Sequence, residues 1–242
     1  MDRHTMDMNE AARDEHLDAL DPLRHLRDDS LIPPQAPTVV YQTIELSFPP
    51  LDRPVKLVVD AGPGCGGIAW PAGEVLSRYL VKRNSLVGQR VIELGSGTGL
   101  VGLVAGLLGA EEVVITDQEQ LVNIMEENIE LNNLQDRVRA SVLNWGEAMT
   151  SLPSMISLIV AADCVYAEPA FPLLVSTLTD LNNAYPEAEI LFCYKKRRKA
   201  DKRFFGILKK QFTWGEVADD PEREIYSRQA ITLLRLHRIR RL

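Results

Sequence analysis

The sequence predicts an α/β fold: a doubly wound, mostly parallel sheet of seven strands with helices on both faces, one antiparallel strand near the C-terminus and a β-hairpin ahead of the sheet. Three observations predict it. From residue 90 onward, short apolar runs alternate with stretches of helical period, the pattern of a parallel sheet with crossover helices. The run "AEILFCY" is almost continuously apolar, as in a strand buried on both faces. The last two strand-like runs, "FTWGEVA" and "QAITLLRLHRI", have no helical pattern between them, so they read as a hairpin, one strand of which runs against the rest.

The elements follow in order. Residues 1–35 are charged, mostly acidic, and end in the Pro-rich "LIPPQAP"; they read as a partly disordered extension with a short helix around Leu17–Leu26. Residues 36–242 then form one domain. "TVVYQTIELSF" and "PVKLVVDAG" are two strands split by the turn sequence "PPLDR". A glycine-rich loop leads to a helix with Pro71 in its first turn, where a missing N–H costs nothing, and with Val75, Leu76, Tyr79 and Leu80 on one face. The sheet proper starts with "RVIEL", followed by the helix "LVGLVAGLLGA", capped near Gly109. Next come "EVVITD" and a helix with Leu121, Ile124, Met125, Asn128 and Leu131 at helical spacing. "RVRASVLNWG" and "SLIVAAD" are further strands, then the helix "EPAFPLLVSTLTDLNNAY", the strand "AEILFCY" and the helix "DKRFFGILKKQF".

Bulk properties narrow the function. A net charge of −7 and a pI near 5.2 argue against a general nucleic-acid binder, which needs a basic face. Cys65, Cys164 and Cys193 lack metal-ligand spacing, so no metal site is expected, and an odd, scattered set suits a reducing compartment. No apolar run approaches membrane-spanning length. The expectation is a cytoplasmic protein that is free of membranes and monomeric.

The chemistry is expected beyond the C-terminal ends of the strands, where open α/β sheets bind ligands. After "RVIEL" come Gly95, Gly97 and Gly99, and Asp117 ends the next strand 20 residues past Gly97. An acid there accepts hydrogen bonds from both ribose hydroxyls of an adenosine. A dinucleotide fingerprint wants a glycine at position 100, which is Leu. Glu93 stands two residues before the first glycine. At about 6 Å and an effective dielectric near 20, each contact with a phosphate charge costs about 3 kcal/mol. A cationic, phosphate-free adenosine cofactor fits such a loop better, and S-adenosylmethionine is one.

The stretches "ELGSGTGLVGL", "WGE" and "ADCVY" resemble the Rossmann-like seven-β-strand methyltransferases, and more narrowly the methyltransferase-like family 21 group with its fungal relatives. The resemblance runs from about Ile44 to the C-terminus. It implies a protein-lysine methyltransferase acting on elongation factor 1A or on a chaperone-type ATPase, with elongation factor 1A preferred. By the same resemblance, Trp70 lies against the cofactor and Gly95, Ser96 and Gly97 surround its methionine part, with Glu93 just before them. Asp117 is the ribose acid, Trp145 stands beside the adenine, and the Ala162 backbone lines the pocket. Asp163 and Tyr166 form the D-x-x-Y motif at the methyl-transfer end.

The residues alone agree with this placement, since Asp163 and Tyr166 follow a buried strand and so reach the ligand edge. Asp163 is expected to orient the incoming lysine amine and Tyr166 to wall its channel. An N-cap and a core tyrosine are the plain alternatives. Cys164 and Cys193 read as buried, inert thiols. The segment "KKRRKADKR" has seven basic residues in nine positions and reads as a solvated face, a docking site for an acidic protein or a nuclear localisation run. Two other readings keep the cofactor. One has a small-molecule or nucleic-acid substrate, against which stand the acidic pI and the lack of an "N-P-P-Y"-type tetrapeptide. The other is a non-catalytic cofactor-binding module.

Overall fold

Two apolar layers enclose a seven-stranded sheet in the computed structural model, which describes residues 41–62, 65–83, 85–148, 152–197 and 201–239. The N-terminal extension expected over residues 1–35 lies outside them. The strands are β1 (Gln42–Leu46), β2 (Val55–Val59), β3 (Arg90–Leu94), β4 (Glu112–Asp117), β5 (Val138–Val142), β6 (Leu158–Ala162), β7 (Glu189–Lys195), β8 (Phe212–Glu216) and β9 (Ile231–Arg238). The helices are α1 (Pro71–Lys82), α2 (Leu100–Leu107), α3 (Glu119–Leu131), α4 (Phe171–Ala184), α5 (Asp201–Leu208) and α6 (Arg223–Arg228).

The large sheet has the order β5-β4-β3-β6-β7-β9-β8. Its pairs are parallel except where β9 meets β7 and β8, so β9 is the one antiparallel strand. Chain order reverses between β3 and β6, which are neighbours. That is the switch point at which an open sheet leaves a crevice.

Side-chain alternation assigns the two faces. Val91, Val113, Ile115, Leu158, Val160, Leu191 and Cys193 pack with α1, α2 and α3. Ile92, Leu94, Val114, Ile159, Ala161, Ile190 and Phe192 pack with α4 and α5. On β7, Ile190 through Cys193 are all buried, as the unbroken apolar run predicts. Val75, Leu76, Tyr79 and Leu80 of α1 are buried as well.

One expectation fails. β8 and β9 are joined by α6, not by a plain turn. This helix has six residues, of which only Tyr226 is buried. A helix so short shows no hydrophobic period to read.

The β1–β2 hairpin stands apart from the large sheet, and two asparagines of α3 hold it there. Asn128 accepts from the Val58 N–H (2.6 Å) and donates to the Val58 carbonyl (3.1 Å). Asn132, in the C-cap position of α3, does the same to Lys56 at 3.0 and 2.7 Å. Four residues of helix rise about 6 Å and two of strand about 6.6 Å, so side-chain amides at this spacing imitate a neighbouring strand. Asn128 also donates to the Thr98 carbonyl (2.9 Å), tying the hairpin to the glycine loop.

Candidate active site

The tips of β3, β4 and β6 build the site. After β3 the chain turns through Gly95 (φ 58°) and Gly97 (φ 57°), left-handed conformations that favour glycine. Space demands glycine too. A Cβ on Gly95 would lie 2.8 Å from Trp145 and 2.9 Å from the Cys164 sulfur; one on Gly97 would lie 2.4 Å from the Gly66 carbonyl oxygen. The loop therefore touches Trp145 on one side and the 65–67 turn on the other.

Asp117 ends β4 with its carboxylate turned to this loop. Its Oδ2 accepts from the Gly97 N–H and its Oδ1 from the Gln118 N–H, both at 2.8 Å. Burial raises its pKa, against those two hydrogen bonds. A carboxylate has about four lone-pair positions, so two N–H bonds leave capacity for hydroxyl donors.

Ser96 and Glu93 differ from their expected roles. The Ser96 hydroxyl accepts from the Thr116 N–H (2.9 Å) and lies 3.2 Å from the Glu93 carbonyl, to which it donates. It stitches β3 to β4, as does the Ser96 backbone N–H, which donates to the Thr116 carbonyl at 2.9 Å. Glu93 is 3% exposed and does not stand at the mouth of the loop. Strand alternation puts it on the face of Val91, beneath α2, where Oε2 accepts from the Gly102 N–H at 2.8 Å. Burial pushes its pKa up to about 8, opposed chiefly by the hydrogen bond from the Gly102 N–H. Burial thus favours the neutral form of Glu93 and weakens the repulsion of phosphate expected from its charge. What it supplies is a seat for the first turn of α2, whose N–H groups would otherwise be unpaired. Gly102 permits this: a Cβ there would sit 2.1 Å from Ile115 and 3.0 Å from the Glu93 carboxyl.

At the other end of the crevice, Asp163 follows β6 with φ 57°, unusual for a residue with a side chain. It is 7% exposed. Its carboxylate is gripped by both arms of Arg197, each at 2.9 Å, and by the Lys195 N–H at 3.0 Å. Such a bidentate fork is among the stronger charge-assisted arrangements. The Arg197 guanidinium also lies over the Trp70 ring, 5.1 Å from its centroid. The carboxylate expected to hold an incoming amine thus already faces a cation of the chain. Asp163, Arg197 and Trp70 form one stack joining the β6 tip, the segment after β7 and the start of α1.

The remaining expected residues fall around this crevice. Ala162 ends β6, paired with Cys193 of β7. Tyr166 is 48% exposed, in the loop after Asp163. Cys164 and Cys193 are buried, and burial raises both thiols well above their ordinary range, in keeping with inert thiols. Among the described residues no group of His, Cys, Asp or Glu is placed to hold a metal. No helix there is long and apolar enough to cross a membrane.

Sequence reasoning missed Arg197, Gly102 and the reach of Asn128. Arg197 was hidden in a run of like residues. Asn128 did leave a trace, as a polar residue within the apolar stripe of α3.

Comparison with known proteins points the same way. A family profile described as lysine methyltransferase matches residues 51–211. The protein-lysine N-methyltransferase EFM6 of Saccharomyces cerevisiae is 39% identical over 211 residues, covering 76% of this chain and 86% of the relative. The protein N-lysine methyltransferase METTL21A of Danio rerio is 39% identical over 173 residues, 69% of this chain and 78% of the relative. Among solved structures, a 16S rRNA methyltransferase from T. Thermophilus in complex with AdoMet and guanosine has a TM-score of 0.58 at 19% identity. It covers 86% of this chain and 52% of its own, a likeness of fold.

Proposed function

Because the chain belongs to the lysine methyltransferase family and is an S-adenosylmethionine-dependent protein-lysine N-methyltransferase, we propose that its substrate is elongation factor 1-alpha and that the β3, β4 and β6 tips carry the reaction. The substrate rests on the motif resemblance described above. The observation that carries the site is the meeting of Asp117, the glycine loop and the Asp163–Arg197 pair at the switch point of the sheet.

The residues present fit the cofactor. Asp117 has acceptor capacity for ribose hydroxyls beside glycines that leave no side chain in the way. Trp145, packed against Gly95, offers a ring edge or face to an adenine. Trp70 and the Ala162 backbone flank the methionine side. When bound, the cofactor supplies a methyl group already activated by a sulfonium, so the protein has chiefly to position and desolvate.

The acceptor amine must be neutral to attack. A bare carboxylate would hold it as a cation; Asp163, compensated by Arg197, does not. We assign Asp163 and Arg197 to positioning, with Trp70 held by the guanidinium and Tyr166 walling the entry at the surface.

The test is methyl transfer from labelled S-adenosylmethionine to purified, unmethylated elongation factor 1-alpha, with a chaperone-type ATPase in parallel and mass spectrometry to place the label. Label on a lysine of the elongation factor is expected. Label on the ATPase alone would move the substrate assignment to the alternative.

A further inference from the structure

The edge of the sheet next to the site carries a cavity of about 380 Å³ between β7, α5 and β8. That lies at the small end of ligand pockets, about 300–1,000 Å³. Its floor is aromatic: Tyr194 and Phe205 have ring centroids 4.9 Å apart, and Phe205 and Trp214 5.2 Å apart. Its rim is cationic: Lys196, Lys202 and Lys209 line it and are exposed. Among the described residues, no salt bridge engages these three ammonium groups. The acids nearby are occupied. Asp201 is buried and accepts from the Arg197 N–H, and Glu216 pairs with Arg223.

On a chain of net charge −7, three lysines around three rings, with Asp201 the one acid in the lining, form a local reversal of sign. Complementary chemistry is an aromatic side chain flanked by carboxylates, since rings anchor in desolvated pockets while rim charges steer and select. The chain links the groove to the site. Lys196 immediately precedes Arg197, whose guanidinium holds Asp163.

We infer that this groove docks an acidic, aromatic-bearing segment of the protein substrate while the acceptor lysine enters beside Asp163 and Tyr166. The inference rests on the protein-substrate reading and deepens it. Basic segments with aromatics also suit single-stranded nucleic acid, but three lysines on an acidic protein whose family acts on proteins favour a peptide.

The test uses the full chain and a fluorescein-labelled peptide, Glu-Asp-Phe-Asp-Glu, followed by fluorescence anisotropy. Saturable binding is expected, weakened about tenfold or more by the double variant Lys202→Glu/Lys209→Glu and by replacing the peptide's acids with Gln and Asn. Both lysines are exposed, so the variant should fold, and an unchanged melting midpoint checks this. Equal binding by variant and parent, equal binding of the neutral peptide, or tighter binding of an oligouridylate would overturn the proposal. In methyl transfer to elongation factor 1-alpha, the same variant should raise KM about tenfold. If the parent does not methylate that factor yet binds the acidic peptide as expected, the substrate assignment falls and the groove stands.

Discussion

Glu93 and Asp163 are acids at the C-terminal ends of the adjacent strands β3 and β6, both nearly excluded from water, yet the protein treats them in opposite ways. Glu93 faces backbone N–H groups at the start of α2, with no cation among its partners, and its pKa climbs to about 8. Asp163 faces the fork of Arg197. Burial pushes one acid toward its neutral form, while the other is paired with a cation. The position of an acid at a strand tip therefore fixes its neighbourhood but not its charge; the partner, which comes from elsewhere in the chain, decides that.

Breaking the paired side should have the largest effect. Arg197→Ala leaves the Asp163 carboxylate buried without its cation, a change that costs about 3–5 kcal/mol. Urea denaturation should show that loss, and adding Asp163→Asn should recover a large part of it. Simple additivity of the two changes would mean the pair is not coupled.

Disturbing the neutral side should cost less. Gly102→Ala places a methyl 2.1 Å from Ile115 and 3.0 Å from the Glu93 carboxyl, forcing α2 off the sheet. Overpacking of this kind costs about 1–3 kcal/mol, readable as a lowered urea midpoint with the slope unchanged.

Glu93→Gln sharpens the contrast through pH. The folded pKa, about 8, lies above the ordinary value of 4.5, so over that window the folded state holds a proton that the unfolded state has released. The parent's stability then falls as pH rises between those values, by at most about 1.4 kcal/mol per unit, and levels off above. The Gln variant lacks this slope. Its stability relative to the parent should grow across the window and stay constant outside it; parallel profiles would mean Glu93 is charged.

The smallest effect should come from Trp70→Phe, which keeps a ring under Arg197. Cation–π contacts contribute about 0.5–1 kcal/mol at exposed sites, so a change below about 1 kcal/mol is expected by thermal unfolding.

The two ends of the crevice also differ in how far the sequence reveals them. The proposed cofactor side is local. Gly95 and Gly97 announce a tight turn, and Asp117 sits where the second strand must end, so alternation and spacing suffice to place them. Even Glu93's burial follows from strand period, because it shares a face with Val91; its proton does not, since that depends on how closely α2 approaches over Gly102. The acceptor side is non-local. Asp163 was readable as a strand-tip acid, but its partner lies 34 residues on, inside a basic run where every residue looks alike. Folding separates that run into a proposed site residue (Arg197), a half-buried pair (Arg203 with Glu168) and groove lysines (Lys196 and Lys202). α6 escaped notice for a related reason: six residues carry too little pattern.

The most direct measurement is calorimetric titration of S-adenosylmethionine into the parent, Asp117→Asn and Arg197→Lys. One equivalent should be bound by the parent, with at least about tenfold weaker binding by Asp117→Asn, whose melting midpoint should drop only by the loss of one N–H contact, and near-parent affinity for Arg197→Lys. Parent-like affinity in Asp117→Asn would contradict the placement of the adenosine at the tip of β4, and with it the geometry of the whole site.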